Sequence, residues 1–382
     1  MEVIKTISVR EKVDLLGRLL FYVPYVLTKE TIKTTAVAIQ RGLPLKEFLV
    51  ATLIRILMTC FTPRQLLYIN GTTGQTYQAW IEREAETRGM FPKQDTIRLP
   101  DGTSLHWIRK SENKASKVVL FFHGGGYFAP MAPEHLNLCA SIVNTCETTK
   151  SVAVAVLEYD LSSQSQYPRQ LQQASLALGH FLQLGYQPKD IFIGGDSAGG
   201  HLTLGLLSHL MHKHPSLPSL SLGDPLAGVF LISPWVSDDT STLSFNQNSW
   251  VDMLPRHISP NAAAWLISSH IQQAESESKQ GWAIPSNADK EWWSTLAEIV
   301  TDVYITVGEQ EMFRDHVIIF ANMLREQAPR CKVDFELGEA EAHDHMLVWE
   351  MLHARRNPAL ERLLKWFGTI LKERDSSALV GS

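Results

Sequence analysis

The chain has 382 residues, and at roughly 150 residues per ordinary domain its length alone predicts two or three domains. Lys and Arg number 35 against 40 Asp and Glu, a net charge of −5, which argues against nucleic acid as the main partner because no basic excess is left to neutralise phosphates. Hydrophobic residues make up 45% and charged ones 20%, enough apolar side chain to build a large core and to exclude disorder over most of the length.

From the N-terminus, residues 1–10 carry Glu2, Lys5 and Arg10 with no clean apolar stretch, so no secretory signal is expected. The expected location is intracellular, cytoplasmic or peripheral to a membrane. The tripeptide Asn70-Gly71-Thr72 therefore carries little weight as a glycosylation acceptor. The uncharged run 19–28 holds Pro24, and the run 48–61 is split by Arg55. Neither reaches the ~18–20 apolar residues that span a bilayer. In the second run Phe48, Leu49, Thr52, Leu53, Ile56 and Leu57 recur at helical spacing, while Ala51, Ile54 and Met58 extend the apolar surface almost all round. Such a helix is buried against protein or lies in a membrane interface. Residues 1–95 are expected to be a helical segment forming part of a cap, with membrane-surface association through residues 1–70 as the other reading.

From residue 95 onward, short β-like runs alternate with helical ones. Residues 96–99 and 105–109 flank Asp101-Gly102 and predict a hairpin. Compact apolar strands are expected at 118–122, 152–157, 191–193, 229–232, 303–307 and 333–337, with helices at 134–143, 169–184, 198–212, 313–326 and 346–371. Alternation of this kind implies an α/β fold with right-handed crossovers and a mostly parallel sheet covered on both faces. It fails once, at 238–296, where Trp250, Trp265, Trp282, Trp292 and Trp293 sit among polar and Pro-rich stretches. An insertion of that length reads as a helical cap, its tryptophans either core or the wall of an apolar pocket. The expected division is thus a catalytic unit at 96–372 containing that insertion, and a frayed tail at 373–382.

Two glycine-rich segments carry the chemistry. In Gly194-Gly195-Asp196-Ser197-Ala198-Gly199-Gly200, the pattern Gly-x-Ser-x-Gly lies between an apolar strand and an apolar helix, the context in which it forms a sharp turn presenting the serine above a sheet. Ser197 is the expected nucleophile. A nucleotide-binding loop fits poorly, because Gly-x-Gly-x-x-Gly is not met and no P-loop Lys follows. In His123-Gly124-Gly125-Gly126, directly after a strand, consecutive glycines leave N–H groups free to converge on a developing oxyanion. The expected donors are the amides of Gly125, Gly126 and Ala198, with His123 fixing the loop.

Together, His-Gly-Gly-Gly and Gly-Asp-Ser-Ala-Gly-Gly in this order resemble the hormone-sensitive-lipase-like branch of the α/β-hydrolase superfamily, over about residues 95–370. The resemblance implies a serine esterase on an eight-stranded sheet flanked by helices, with no metal or cofactor. It also implies an acid after a late strand, in a pattern like Gly-x-x-Asp-x-Leu-x-Asp, and a His one strand further on. The segment here is Gly308-Glu309-Gln310-Glu311-Met312-Phe313-Arg314-Asp315, so Glu311 stands where the family carries Asp, and Asp315 is the alternative. The base candidates are His343, which matches the family position, and His345. The order Ser, acid, His is the one this fold uses.

His201, His209, His212 and His214 crowd one helix, yet no Cys or carboxylate completes a metal set, and the helix C-terminus itself favours cationic His. Cys60, Cys139, Cys146 and Cys331 are too scattered for a disulfide framework and read as core residues or free thiols. The function these residues point to is hydrolysis of a small hydrophobic acyl or acetyl ester through an acyl-enzyme. An acyltransferase or cyclase would use the same residues, and a ligand-binding protein could share the fold.

Overall fold

Strand β3 (Lys117–Phe122) explains why the sheet is buried on both sides: Val118, Leu120 and Phe122 join one apolar cluster while Val119 and Phe121 join another. Strand β4 (Val152–Glu158) divides in the same way, with Ala153, Ala155 and Leu157 on one face and Val152, Val154 and Val156 on the other. A strand apolar at every position satisfies both faces only when each is covered by helices. The computed structural model describes residues 7–91, 93–145 and 151–380, with side chains as far as residue 373.

The remaining strands are β1 (Thr96–Arg98), β2 (Ser104–Ile108), β5 (Ile191–Asp196), β6 (Gly228–Ile232), β7 (Asp302–Gly308) and β8 (Lys332–Gly338). All eight form one sheet in the order β1-β2-β4-β3-β5-β6-β7-β8. Strand β2 runs antiparallel to both neighbours, and every other pairing is parallel. This is the mostly parallel eight-stranded sheet that the sequence predicts.

The helices are α1 (Val9–Gly17), α2 (Val23–Arg41), α3 (Leu45–Cys60), α4 (Pro63–Asn70), α5 (Thr73–Trp80), α6 (Pro133–Thr145), α7 (Arg169–Gln183), α8 (Ala198–Met211), α9 (Leu243–Asn248), α10 (Ile258–Leu266), α11 (Ser269–Glu277), α12 (Leu296–Ile299), α13 (Arg314–Gln327), α14 (His345–Met351) and α15 (Pro358–Val380). One face of the sheet is covered by α6 and α15, the latter through Leu363, Trp366, Phe367 and Ile370. The other is covered by α7, α8 and α13, through side chains such as Leu171, Leu204 and Val317.

Two expectations need correction. The helix expected over 346–371 is two helices, α14 and α15. Pro358 cannot continue a preceding helix, and Asn357 instead caps α15, its Oδ1 accepting from the Leu360 N–H at 3.1 Å. The tail expected to fray from residue 373 continues α15 as far as Val380, with residues 381–382 outside the described residues. Cys60, Cys139 and Cys331 are buried free thiols, whereas Cys146 and residues 1–6 lie outside the described residues.

The N-terminal helices and the 238–296 insertion meet above the C-terminal ends of the strands. Arg55 of α3 is buried and tied on several sides: its Nε pairs with Glu30 of α2 at 3.2 Å, Nη2 donates to the Trp250 carbonyl at 3.2 Å, and Nη1 donates to the Asp252 carbonyl. Thr34 of α2 also donates to the Trp250 carbonyl, at 2.8 Å. A buried guanidinium of this kind is sustained only by such a full set of acceptors.

Candidate active site

Ser197 sits at the turn between β5 and α8 with φ 50° and ψ −112°, a backbone conformation that L side chains rarely adopt and that must be held by its surroundings. Its N–H donates to the Ile232 carbonyl at 2.8 Å, and its own carbonyl accepts from the Trp235 N–H at 3.1 Å. The flanking glycines permit the turn by contact: a Cβ on Gly199 would stand 1.9 Å, and one on Gly195 2.2 Å, from the Phe122 carbonyl oxygen. The strand and helix can therefore pass this close to β3 only without side chains there.

The structure draws three of the expected residues into one hydrogen-bonded line. Ser197 Oγ lies 2.8 Å from His343 Nε2, and His343 Nδ1 lies 3.0 Å from Glu311 Oε2. All three are buried. The second carboxylate oxygen of Glu311 accepts from Ser233 Oγ and from the Gly308 N–H, each at 2.5 Å, so both oxygens of that carboxylate are engaged. The alternatives stand elsewhere. Asp315 accepts from the Ser244 N–H at 2.8 Å and pairs with Arg314, and His345 Nε2 faces Glu47 of α3 at 2.9 Å.

Two further carboxylates adjoin His343, and sequence reasoning missed both. Asp252, from the insertion, accepts from the His343 N–H at 3.2 Å through one oxygen and from the Met312 N–H at 2.6 Å through the other, tying the loop of Glu311 to the loop of His343. Burial pushes its carboxyl up to about 6, with the Glu311 charge acting in the same direction and His343 against it. Asp344 brings Oδ2 to 3.2 Å from His343 Nε2, and burial raises its carboxyl well above the ordinary range. Burial opposes the His343 cation, but the Asp344 charge, the Glu311 hydrogen bond and the Glu311 and Asp252 charges outweigh it and raise the imidazole. A signal for Asp252 exists in the sequence: it is a lone carboxylate among the apolar side chains Trp250, Val251, Met253 and Leu254.

The His-Gly-Gly-Gly loop is fixed from below. Asp196, beside the serine, accepts from the Gly124 N–H at 3.0 Å and from His135 Nε2 at 3.0 Å. Burial disfavours the His135 cation, yet the Asp196 carboxylate overcomes it and raises that ring to about 9. His123 hydrogen-bonds the Gly124 carbonyl at 2.7 Å and stacks on Tyr159, and burial lowers it to about 4, with His135 adding to the effect. Its partners are Thr73, Gly124 and Tyr159, a set that fixes the loop around a neutral ring. The amides of Gly125, Gly126 and Ala198 take no protein acceptor among the described residues and border the same cleft as Ser197.

That cleft, about 440 Å³ including space open to solvent, is walled by Phe128, Trp235, Met253, Leu254, Ile258 and Phe313, with Met58 reaching in from α3. The wall includes none of the insertion's five tryptophans. Trp293 packs on Phe320, Trp282 and Trp292 on each other, Trp265 behind Phe128, and Trp250 under Lys33. The histidines of α8 and its end are likewise engaged. His201 meets the Tyr127 hydroxyl and the Ala283 carbonyl, His209 the Pro218 carbonyl, and His212 the Trp292 carbonyl, while His214 Nδ1 accepts from the Ser216 N–H. No group of three His, Cys, Asp or Glu among the described residues is disposed to hold a metal ion.

Comparisons with known proteins follow the same geometry. An esterase of Acinetobacter venetianus is 26% identical over 164 residues, 41% of this chain and 50% of that protein. An acetyl-hydrolase of Streptomyces hygroscopicus is 26% identical over 38% of this chain and 44% of its own length. The chain spans half or less of the length of these curated relatives. Among solved structures, a thermostable esterase from Pseudomonas putida superposes with a TM-score of 0.61 at 19% identity, covering 88% of this chain and 93% of that one. An esterase from the bacterial hormone-sensitive lipase family gives 0.59 at 18% identity, covering 78% and 96%. A family model described as the alpha/beta hydrolase fold matches residues 119–348, the stretch from β3 to α14 that carries both glycine motifs, Glu311 and His343, and the chain belongs to that family.

Proposed function

We propose that the protein is a serine-dependent carboxylic-ester hydrolase acting on a hydrophobic acyl or acetyl ester through an acyl-enzyme. The observation that carries this reading is the line Ser197 Oγ, His343 Nε2, Nδ1 and Glu311 Oε2, opening into an apolar cleft with three unclaimed amides at its edge. The names of relatives, an esterase and an acetyl-hydrolase, agree with it.

In the reaction, His343 Nε2 takes the Ser197 hydroxyl proton as Oγ attacks the ester carbonyl carbon. Glu311 holds Nδ1–H, and so the tautomer, and favours the imidazolium that forms. The carbonyl oxygen becomes an oxyanion received by the amides of Gly125, Gly126 and Ala198, where one such donor is worth about 3 kcal/mol in the transition state. Collapse breaks the bond to the alkoxy oxygen, which leaves as the alcohol with the proton from His343. Water, deprotonated by the same nitrogen, then attacks the acyl-serine, and the free acid departs as Ser197 regains its proton. Residues 1–95 and 238–296 together act as the cap, since both contribute to the cleft wall, through Met58 and through Met253, Leu254 and Ile258.

The test is hydrolysis of a short-chain nitrophenyl ester, with labelling by a fluorophosphonate. Wild type is expected to release free acid and to label. Ser197→Ala, with an unchanged circular dichroism spectrum, is expected to lose labelling and about a million-fold in kcat. Transfer of the acyl group to an added alcohol without release of acid would replace hydrolysis by acyl transfer. Failure of the wild type to label would leave only ligand binding.

A further inference from the structure

Exposed apolar side chains are unevenly spread over this molecule. Of the large hydrophobic residues exposed among the described residues, sixteen lie between Val9 and Ile69, and only five, Leu176, Leu184, Leu243, Ile319 and Leu337, in the rest of the chain. Single exposed apolar residues are ordinary on any surface, but a concentration of this kind marks an interaction face. On α1 and the turn after it, Val9, Val13, Leu16 and Leu20 recur at spacings of four, three and four, one stripe of a helix. Phe21, Tyr25, Ile32 and Ile39 continue it along α2 at spacings of four and seven, and Phe21 is 77% exposed. On α3, Leu53 and Leu57 are exposed on the stripe that begins with the exposed Lys46, while Arg55 is drawn inward to Glu30 and the Asp252 carbonyl.

Charge is divided along the same line. Residues 1–70 hold ten Lys and Arg against five Asp and Glu, a net +5, while residues 71–382 hold 25 against 35, a net −10, which together give the −5 of the whole chain. Within that layer Arg10, Lys12, Lys29, Lys33, Lys46 and Arg64 are exposed and, of the acids among the described residues, only Asp14 is, so a positive, apolar layer on an acidic protein matches the anionic surface of a phospholipid bilayer. No helix among the described residues is long and apolar enough to cross a membrane, so the face fits the surface and not a span.

We propose that the N-terminal helical layer docks the protein on an anionic lipid bilayer surface, with the stripes of α1 and α2 and the outer side of α3 lying in the interface. The cleft's position gives this docking a purpose that rests on the esterase reading. Met58 lines the cleft beside Ser197, and its helix neighbour Leu57 is part of the exposed face, so the layer that meets lipid also borders the entrance. An ester dissolved in the bilayer would then reach Ser197 along an apolar path without crossing water.

Flotation of the full chain with vesicles tests the docking by itself. The protein is expected to float with vesicles of phosphatidylcholine containing about a third phosphatidylserine, to float less with pure phosphatidylcholine, and to be partly released by salt. The triple variant Phe21→Ser, Tyr25→Ser, Ile32→Ser is expected to lose at least tenfold in vesicle partitioning while labelling with a fluorophosphonate, and hydrolysing a water-soluble nitrophenyl ester, as wild type does. The pair Arg10→Glu, Lys12→Glu should weaken only the phosphatidylserine-dependent part. Wild type that stays with the soluble fraction, or a triple variant that floats equally, overturns the docking. So does a wild-type dimer that the triple variant converts to monomer without any flotation, since the face would then belong to a second copy. Because flotation needs no turnover, an inactive protein that floats would overturn the esterase reading and leave the docking standing.

Discussion

Phe367 and Phe21 are the same side chain in opposite surroundings. Phe367, on α15 beneath the sheet, is 1% exposed and packed among Phe192, Phe230 and Trp366 at ring separations of 5.1–5.2 Å, whereas Phe21 stands in solvent at the edge of the N-terminal layer. The difference extends to their regions. The sheet buries nearly every apolar side chain it owns, and Asp196 at the end of β5 holds the Gly124 amide beside Ser197. The N-terminal layer buries one side and leaves the other apolar and positively charged. Burial in the first region serves to fix the geometry of a few atoms, and incomplete burial in the second leaves a face for something else to cover.

The largest expected effect probes the geometry that the sheet fixes. Glu311→Gln keeps the size of the acid and removes its charge, and kcat should fall by about 1,000- to 10,000-fold at constant stability, measured on a nitrophenyl ester. A fall of less than tenfold would mean that the acid merely fills space. Next comes the contrast in packing. Phe367→Ala should cost about 3–5 kcal/mol of unfolding free energy in denaturant titration. Phe21→Ser should stay within about 0.5 kcal/mol, as a surface change does. Equal losses at the two positions would erase the distinction between the regions.

The smallest effect is one of pH. Asp344 raises the His343 imidazole, which in the proposed reaction must be neutral to accept the Ser197 proton. Asp344→Asn should therefore lower that ring's affinity for a proton and move the acid limb of kcat/KM to lower pH, read from a pH–rate profile. An unmoved limb would mean that Asp344 is an uncharged neighbour in the working enzyme.

Much of the sheet was legible because β3 to β7 are short, mostly apolar runs, and because the Ser197 turn and the His-Gly-Gly-Gly loop are local patterns whose chemistry depends on neighbours in sequence. Glu311 and His343 were reached through the resemblance, with Asp315 and His345 as alternatives, and the fold is what brings Glu311 and His343 into line with Ser197. What escaped the sequence acts over long separations. Ser233 meets Glu311 across 78 residues, and Asp252 meets His343 across 91. No periodicity marks such pairs: Asp252 stands out only as a lone carboxylate in an apolar run, and Ser233 looks like an ordinary loop polar group until the chain is folded. The break at Pro358 is a different kind of miss, since the proline was visible and only the length of the apolar run argued against it.

Arg55 and Asp252 have a consequence for how this protein can be rebuilt. One hydrogen bond runs from a helix of the first seventy residues to the Asp252 carbonyl, and the side chain of that same aspartate holds the amides next to Glu311 and at His343. The N-terminal helices and the insertion are therefore not independent modules. A chimaera that exchanged residues 1–70 for those of a relative would be expected to lose reaction rate along with location, unless the arginine and the aspartate were carried across as a pair.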